Sequence, residues 1–309
     1  MEDFMKYIAG TTDINFKNTA VTLGKFDGLH RGHKRLIDEV VSLKDKGYTS
    51  LMFTFLYHPY NLFSDSEVKL IYTEEEKVYK LNDSGLDVLI SYPFTRETKN
   101  IEPEDFIRDI LVGKLDAKVI VVGNDFRFGR NRRGDVDMLK SMESLYGFKV
   151  IAFEKIRWRD TVISSSIIRS ELEKGNMEDV NEMLGKPYFI RGMVLHGRQV
   201  GRTLGMPTTN ITTPSNKLLP PCGVYFSRAV IDGISYPGIT NIGYRPTVGS
   251  DNGKGVETYI YDFERDLYGA EIDVELLSFV RPEIKFDDIA GLKLQMGKDL
   301  ELGRKYFGI

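Results

Sequence analysis

The chain has 309 residues, of which 41% are hydrophobic and 28% charged, a formal net charge of -3 and one cysteine, Cys222. That length suits two domains, each able to bury its own core, and the composition excludes disordered and fibrous classes. The slight acidity gives no overall attraction to nucleic acid or to an anionic membrane, a lone cysteine excludes an internal disulfide, and no stretch approaches the roughly 18 apolar residues of a membrane span. With Glu2 and Asp3 in place of a secretory signal, a cytoplasmic location is expected.

The first element is the apolar run Ala20-Val21-Thr22-Leu23, which leads into Gly24-Lys25-Phe26-Asp27-Gly28-Leu29-His30-Arg31-Gly32-His33 and then the helical pattern Lys34 to Val41. This reads as a strand, a glycine turn and a helix N-terminus carrying two imidazoles. Glycine admits close backbone approach, and the free N–H groups and positive dipole end of the helix attract phosphate. His30 and His33, three apart, share one helix face. The turn suits a nucleoside triphosphate held for attack at its α-phosphate, which is nucleotidyl transfer. It matches neither the P-loop nor the dinucleotide fingerprint. The alternative is an ordinary strand-turn-helix whose histidines only cap; two of the chain's four histidines in one turn favour the functional reading.

Further strands are expected at 50–55, 87–90, 118–122 and 148–151, with helices at 74–81, 103–111 and 136–146 between them. Near-continuous apolar strands alternating with helices predict a Rossmann-like parallel sheet covered on both faces, with ligands at the carboxyl ends of its strands. His58-Pro59 after the second strand is ambiguous between a ligand contact and backbone satisfaction. The run Gly123-Asn124-Asp125-Phe126-Arg127-Phe128-Gly129-Arg130, followed by Arg132 and Arg133, offers a carboxylate for metal-nucleotide contact and arginines that either grip phosphate or form a solvated basic loop. Ser164, Ser165 and Ser166 precede a helix bearing Arg169. They could cap that helix, with Arg169 paired to Glu173, as readily as bind a ligand.

After an acidic helix around 178–184, Gly185-Lys186-Pro187 interrupts the pattern, and a domain boundary is placed between residues 185 and 186. Short strands follow at 188–195, 207–211, 223–231, 238–242, 256–263 and 271–279, which predicts a small antiparallel barrel closed by a helix over 287–306. Its first loop, with Gly197, Gly201 and Arg202, leads to Pro207-Thr208-Thr209-Asn210. Thr208 and Asn210 share one side of a strand and offer the hard neutral oxygens that Mg²⁺ accepts, while Thr209 faces the other way. Glu257 could accept a proton from a hydroxyl attacking a γ-phosphate, or could be an edge charge that deters aggregation.

Taken in order, these motifs, with Asn241-Ile242-Gly243-Tyr244-Arg245-Pro246-Thr247, Asp262-Phe263, Leu267-Tyr268-Gly269 and Arg281-Pro282-Glu283, resemble the bifunctional bacterial riboflavin kinase/FMN adenylyltransferases, or FAD synthetases, over nearly the full chain. The resemblance implies an N-terminal nucleotidyltransferase domain (1–185) and a C-terminal flavokinase barrel (186–309). It implies riboflavin, FMN, FAD and ATP as ligands, Mg²⁺ as cofactor, no nucleic acid and no membrane, and it assigns no oligomeric state. By position, His30 and His33 would stabilise the adenylyl transition state. Gly24, Phe26, Asp27, Gly28, Asp125, Ser164, Ser165 and Arg169 would bind nucleotide there. Gly197, Gly201 and Arg202 would bind ATP in the kinase half, where Thr208 and Asn210 would ligate Mg²⁺ and Glu257 would be the base. Lys25 stands where many members have asparagine, Thr209 where alanine is frequent, and Ser166-Ile167 where threonine and a basic residue are common. Two rivals remain: a chain with one live activity, the kinase favoured, and a regulatory protein acting on RNA, supported by the 127–133 arginines and opposed by the net charge.

Overall fold

A computed structural model describes residues 5–56, 68–196, 206–244 and 254–309. His58, Pro59, Gly197, Gly201, Arg202 and the Arg245, Pro246 and Thr247 stretch lie outside the described residues. The chain divides into two compact units, 1–165 and 166–309.

The first unit is built on six parallel strands: β1 (Lys6–Ala9), β2 (Thr19–Leu23), β3 (Thr49–Phe55), β4 (Val88–Tyr92), β5 (Ala117–Gly123) and β6 (Lys149–Phe153). Their order across the sheet is β1-β4-β3-β2-β5-β6. Alternate residues of one strand feed two cores. Val21 and Leu23 face Leu51, Ile90, Ile107 and Leu111, while Ala20 faces Phe26, Leu36, Ile37 and Val40. Burying each such aliphatic side chain stabilises the fold by about 1.5–3 kcal/mol, and double coverage explains the unbroken apolar runs. Helix α1 (Arg31–Ser42) and α2 (Glu74–Asn82) follow β2 and β3. The helix expected over 103–111 is a single α turn, Pro103–Asp105, that widens into a π-helical stretch, Phe106–Lys114. Its Leu115 N–H donates to the Ile110 carbonyl at 2.9 Å. The chain runs outward from β2 to β3 and β4, then returns to the other side for β5 and β6. The order therefore switches between β2 and β5, where ligands bind in such sheets. A short hairpin, β7 (Arg157–Trp158) with β8 (Thr161–Val162), ends the unit.

The second unit opens with helices α3 (Ser165–Lys174) and α4 (Met177–Leu184) and continues as β9 (Tyr188–Leu195), β10 (Thr208–Ile211), β11 (Gly223–Ile231), β12 (Ile234–Tyr244), β13 (Lys254–Ile260) and β14 (Glu271–Pro282). These six strands close into a barrel in the order β10-β13-β12-β11-β14-β9, every adjacent pair antiparallel. The expected boundary at 185 falls later than the division at 165 because α4 is tied to the barrel. Asn181 accepts from the Tyr188 N–H at 2.7 Å and donates to the Leu276 carbonyl at 2.9 Å. Inside the barrel Thr240 bonds the Ser227 and Thr258 hydroxyls, each at 2.8 Å, so its buried polar groups are satisfied. The last helix, α5 (Ile289–Phe307), is held by Arg281 on the buried Asp299 and by the Tyr261 hydroxyl donating to Leu300 at 2.7 Å.

Candidate active sites

The turn between β2 and α1 opens at the switch point of the first sheet. Gly28 takes φ +86°, and a Cβ there would lie 3.1 Å from Ile71, so the turn admits only glycine at this place. Phe26, a fully buried non-glycine residue, is also left-handed at φ 49°, which costs about 1–2 kcal/mol, and its ring covers Gly24. Two hydrogen bonds brace the turn from outside. Asp27 accepts from the Ile71 N–H through its carboxylate, at 2.9 Å, and from the Ser165 hydroxyl through its carbonyl, at 2.8 Å. Asp27 and Ser165 thus shape the turn, whatever else they touch.

His30 is the N-cap of α1, its Nδ1 accepting from the His33 N–H at 3.3 Å. A neutral imidazole that accepts at Nδ1 carries its proton on Nε2, which leaves a donor available. The two rings stack at 3.6 Å between centroids, and His33 lies 5.0 Å from the Phe26 ring. Burial pushes the His30 imidazolium down to about 4. Burial first, then His30 and Lys77, hold His33 well below its ordinary range. His33 Nδ1 is buried without a hydrogen-bond partner. Both rings are therefore neutral at pH 7.

This has a measurable consequence. The unfolded chain takes up a proton on His30 near 6.5, whereas the folded one resists until about 4, so acid favours unfolding. The stabilisation is complete above about pH 6.5 and is lost as the pH falls toward 4, by on the order of 3 kcal/mol for this group. The thermal unfolding temperature of the first unit is expected to drop across that interval. His30→Asn, which keeps a capping side chain, is expected to drop less. Equal slopes for the two proteins would refute the assignment.

The other expected residues belong to separate elements. Asp125, after β5, is mostly exposed and paired with Lys155 at 2.8 Å. Ser164 precedes α3, and Arg169 lies on it, half-buried. Sequence reasoning passed over Lys77 of α2, which is buried and paired with Glu74 at 2.9 Å. Glu74 in turn accepts from the Tyr7 and Ser91 hydroxyls. The signal available was a lysine one turn into a capped helix, which reads as solvated until α2 is known to lie beside the imidazoles.

In the barrel, register assembles the second site. Glu257 pairs with Asn210 of β10 on one side and Asn241 of β12 on the other, and Thr208 pairs with Tyr259. Cross-strand partners lie on one face with Cβ atoms about 4.5–5.5 Å apart. Thr208, Asn210, Glu257 and Asn241 therefore share the face opposite the buried Thr240 and Thr258. Thr209 pairs with Thr258, away from that face, and donates to its carbonyl at 3.2 Å. Asn241 is a neighbour that spacing alone could not give. So is Glu283, whose carboxylate lies over Gly243: a Cβ there would sit 2.0 Å from Glu283 Oε1 and 3.3 Å from Asn241 Nδ2. Among the described residues no group of three His, Cys, Asp or Glu could hold a metal, and no helix is long and apolar enough to cross a membrane.

Comparison with known proteins follows the same division. The family model described as FAD synthetase matches residues 13–167, and that described as riboflavin kinase matches 184–307. The bifunctional riboflavin kinase/FMN adenylyltransferase of Bacillus subtilis is 35% identical over 94% of this chain and 92% of that protein. The protein of the same name from Escherichia coli K12 is 33% identical over 99% of each. A crystal structure described as a macrolide-efflux protein from Streptococcus pneumoniae superposes with a TM-score of 0.86, at 27% identity, over 97% of this chain and 99% of that one.

Proposed function

The chain belongs to the bifunctional riboflavin kinase/FMN adenylyltransferase family, and from that premise we propose that it phosphorylates riboflavin to FMN with one ATP and adenylylates FMN with a second to give FAD and pyrophosphate. We assign adenylyl transfer to residues 1–185 and phosphorylation to residues 186–309. The observation that carries this reading is the pairing, in one polypeptide, of a stacked imidazole pair at a helix N-terminus with a carboxylate in register between two asparagines.

In adenylyl transfer an oxygen of the FMN phosphate forms a bond to the α-phosphorus of ATP as the bond to the α,β-bridging oxygen breaks, and the electron pair leaves on pyrophosphate. The attacking oxygen is already anionic, so the site needs positioning and charge stabilisation rather than a base. His30 Nε2 and the first N–H groups of α1 are the donors for the developing charge. Ser164, Ser165, Asp125 and Arg169 complete the nucleotide contacts in this proposal.

In phosphorylation the ribityl hydroxyl attacks the γ-phosphorus, Glu257 takes its proton, and ADP leaves with the electrons of the broken bond. A hydroxyl beside an amide carbonyl, next to one carboxylate, fits Mg²⁺, which keeps water and phosphate oxygens in its shell. Thr208 and Asn210 would hold it. Bound there, it would neutralise charge on the transferred phosphate. Gly197, Gly201 and Arg202, which lie outside the described residues, are proposed to bind nucleotide.

Incubation with riboflavin, ATP and Mg²⁺, followed by chromatography, is expected to show FMN and then FAD. FMN alone would leave only the kinase; neither product would reject the proposal.

A further inference from the structure

The barrel face that holds Glu257 carries a second carboxylate, which the phosphorylation step does not use. Glu283 follows β14, and its Oε1 and the Asn241 Nδ2 both lie within 3.3 Å of the place that a Cβ on Gly243 would occupy. Gly243 stands two residues after Asn241 on β12, and so on the same face. Asn241 is in turn the cross-strand partner of Glu257. One amide thus has a carboxylate across from it and another farther along its own strand.

The backbone is shaped to bring Glu283 there. Gly223 of β11 is the partner of both Pro282 and Ile242, and a Cβ on it would overlap the Arg281 carbonyl, so β14 runs this close only beside a glycine. Gly243 clears the other end of the path, since a side chain there would take the space that the carboxylate fills. The strand end is also fastened from behind. Arg281 donates through Nε to Asp299 at 3.0 Å and through Nη1 to the Pro282 carbonyl at 2.9 Å, and Gln295 donates to Asp299 at 2.9 Å. Asp299 is buried on α5, whereas Glu283 is exposed. An anchored backbone therefore presents an accessible charged acceptor on the face that holds Glu257.

We infer that Glu283 binds the ribityl chain of riboflavin, accepting hydrogen bonds from hydroxyls farther along the chain than the one that attacks. This rests on the phosphorylation reading above, in which Glu257 takes the proton of the terminal hydroxyl. Cross-strand neighbours lie about 4.5–5.5 Å apart, and positions two along a strand about 6.6 Å apart. With its reacting end at Glu257, an extended polyol passes Asn241 and brings its inner hydroxyls to Glu283. A carboxylate has two oxygens for adjacent hydroxyls, and hydrogen bonds to an ionised acceptor are the strong kind.

The test follows FMN formation by the full-length chain, with lumiflavin, which has a methyl group in place of the ribityl chain, as a competing inhibitor. Glu283→Ala is expected to raise the KM for riboflavin about tenfold or more, and Glu283→Gln to recover part of that loss. The KM for ATP and the inhibition constant of lumiflavin should stay unchanged. Gly243→Ala, which displaces the carboxylate from the opposite strand, should also raise the KM for riboflavin, and should add little to Glu283→Ala. An unchanged KM for riboflavin in Glu283→Ala overturns the inference, as does full additivity of the two substitutions. An equal loss for lumiflavin overturns it by marking a general disturbance of the site, and a rise in the KM for ATP alone does so by moving the carboxylate to the triphosphate. A wild-type chain that forms no FMN overturns the kinase reading itself, and this role with it.

Discussion

Replacing His30 and His33 together with alanine is expected to abolish conversion of FMN to FAD while FMN continues to form from riboflavin. Removing one preorganised donor to a developing anion costs about 10²–10³ in rate. The two imidazoles are stacked and joined through the His33 N–H and His30 Nδ1, so their losses will not simply add. Part of the effect would be structural, because alanine at position 30 also removes the cap of α1, worth about 1 kcal/mol. His30→Asn separates these contributions: an asparagine retains a capping oxygen but cannot place a donor where Nε2 lies. It is expected to keep the stability of the first unit and lose at least 10²-fold in FAD formation. The measurement is chromatographic separation of flavins, with FMN supplied in one series and riboflavin in the other. If the folded double variant lost both activities, the two sites could not be independent.

The second large effect is expected at Glu257. Glu257→Gln keeps the shape of the side chain and its place between Asn210 and Asn241, but removes the proton acceptor. General-base contributions run to about 10²–10⁴-fold, and FMN formation should fall within that range. Glu257→Asp keeps the charge and draws it back by one methylene, roughly 1 Å. Misplacement of that size can cost about 10²-fold, so the aspartate variant should also be slow. Adenylylation of supplied FMN should be unchanged in both. Equal rates of FMN formation in the wild type and the glutamine variant would remove Glu257 from the chemistry and return it to the role of a strand charge.

Much of this was legible from local pattern, and what escaped was non-local. Five of the six strands of the first sheet announce themselves as apolar runs. β1 does not, because Lys6–Ala9 is only four residues long, largely exposed, and becomes a strand through β4. The stretch from Val136 to Tyr146 reads as one helix but breaks at Met142 into Val136–Ser141 and Glu143–Tyr146. The imidazole turn was visible because glycines, histidines and a helix start lie within ten residues. The common side of Thr208 and Asn210 followed from strand periodicity. Their alignment with Glu257 and Asn241 did not, since register couples positions more than thirty residues apart. The pairing of Arg130 and Arg133 with Glu102 was hidden for a similar reason: that carboxylate lies at the start of another helical segment.

The two topologies also differ in how they can be made. All six strands of the first sheet exist once synthesis has passed Phe153, whereas the barrel cannot shut until β14 emerges to meet β9, joining Tyr188 with Leu276. Over that interval the nascent barrel exposes unpaired strand edges, the state most open to misassembly with other chains. The vulnerable phase of this protein's biogenesis is therefore the closing of its ring, and a nucleotide captured early by the completed first sheet would do nothing to shorten it.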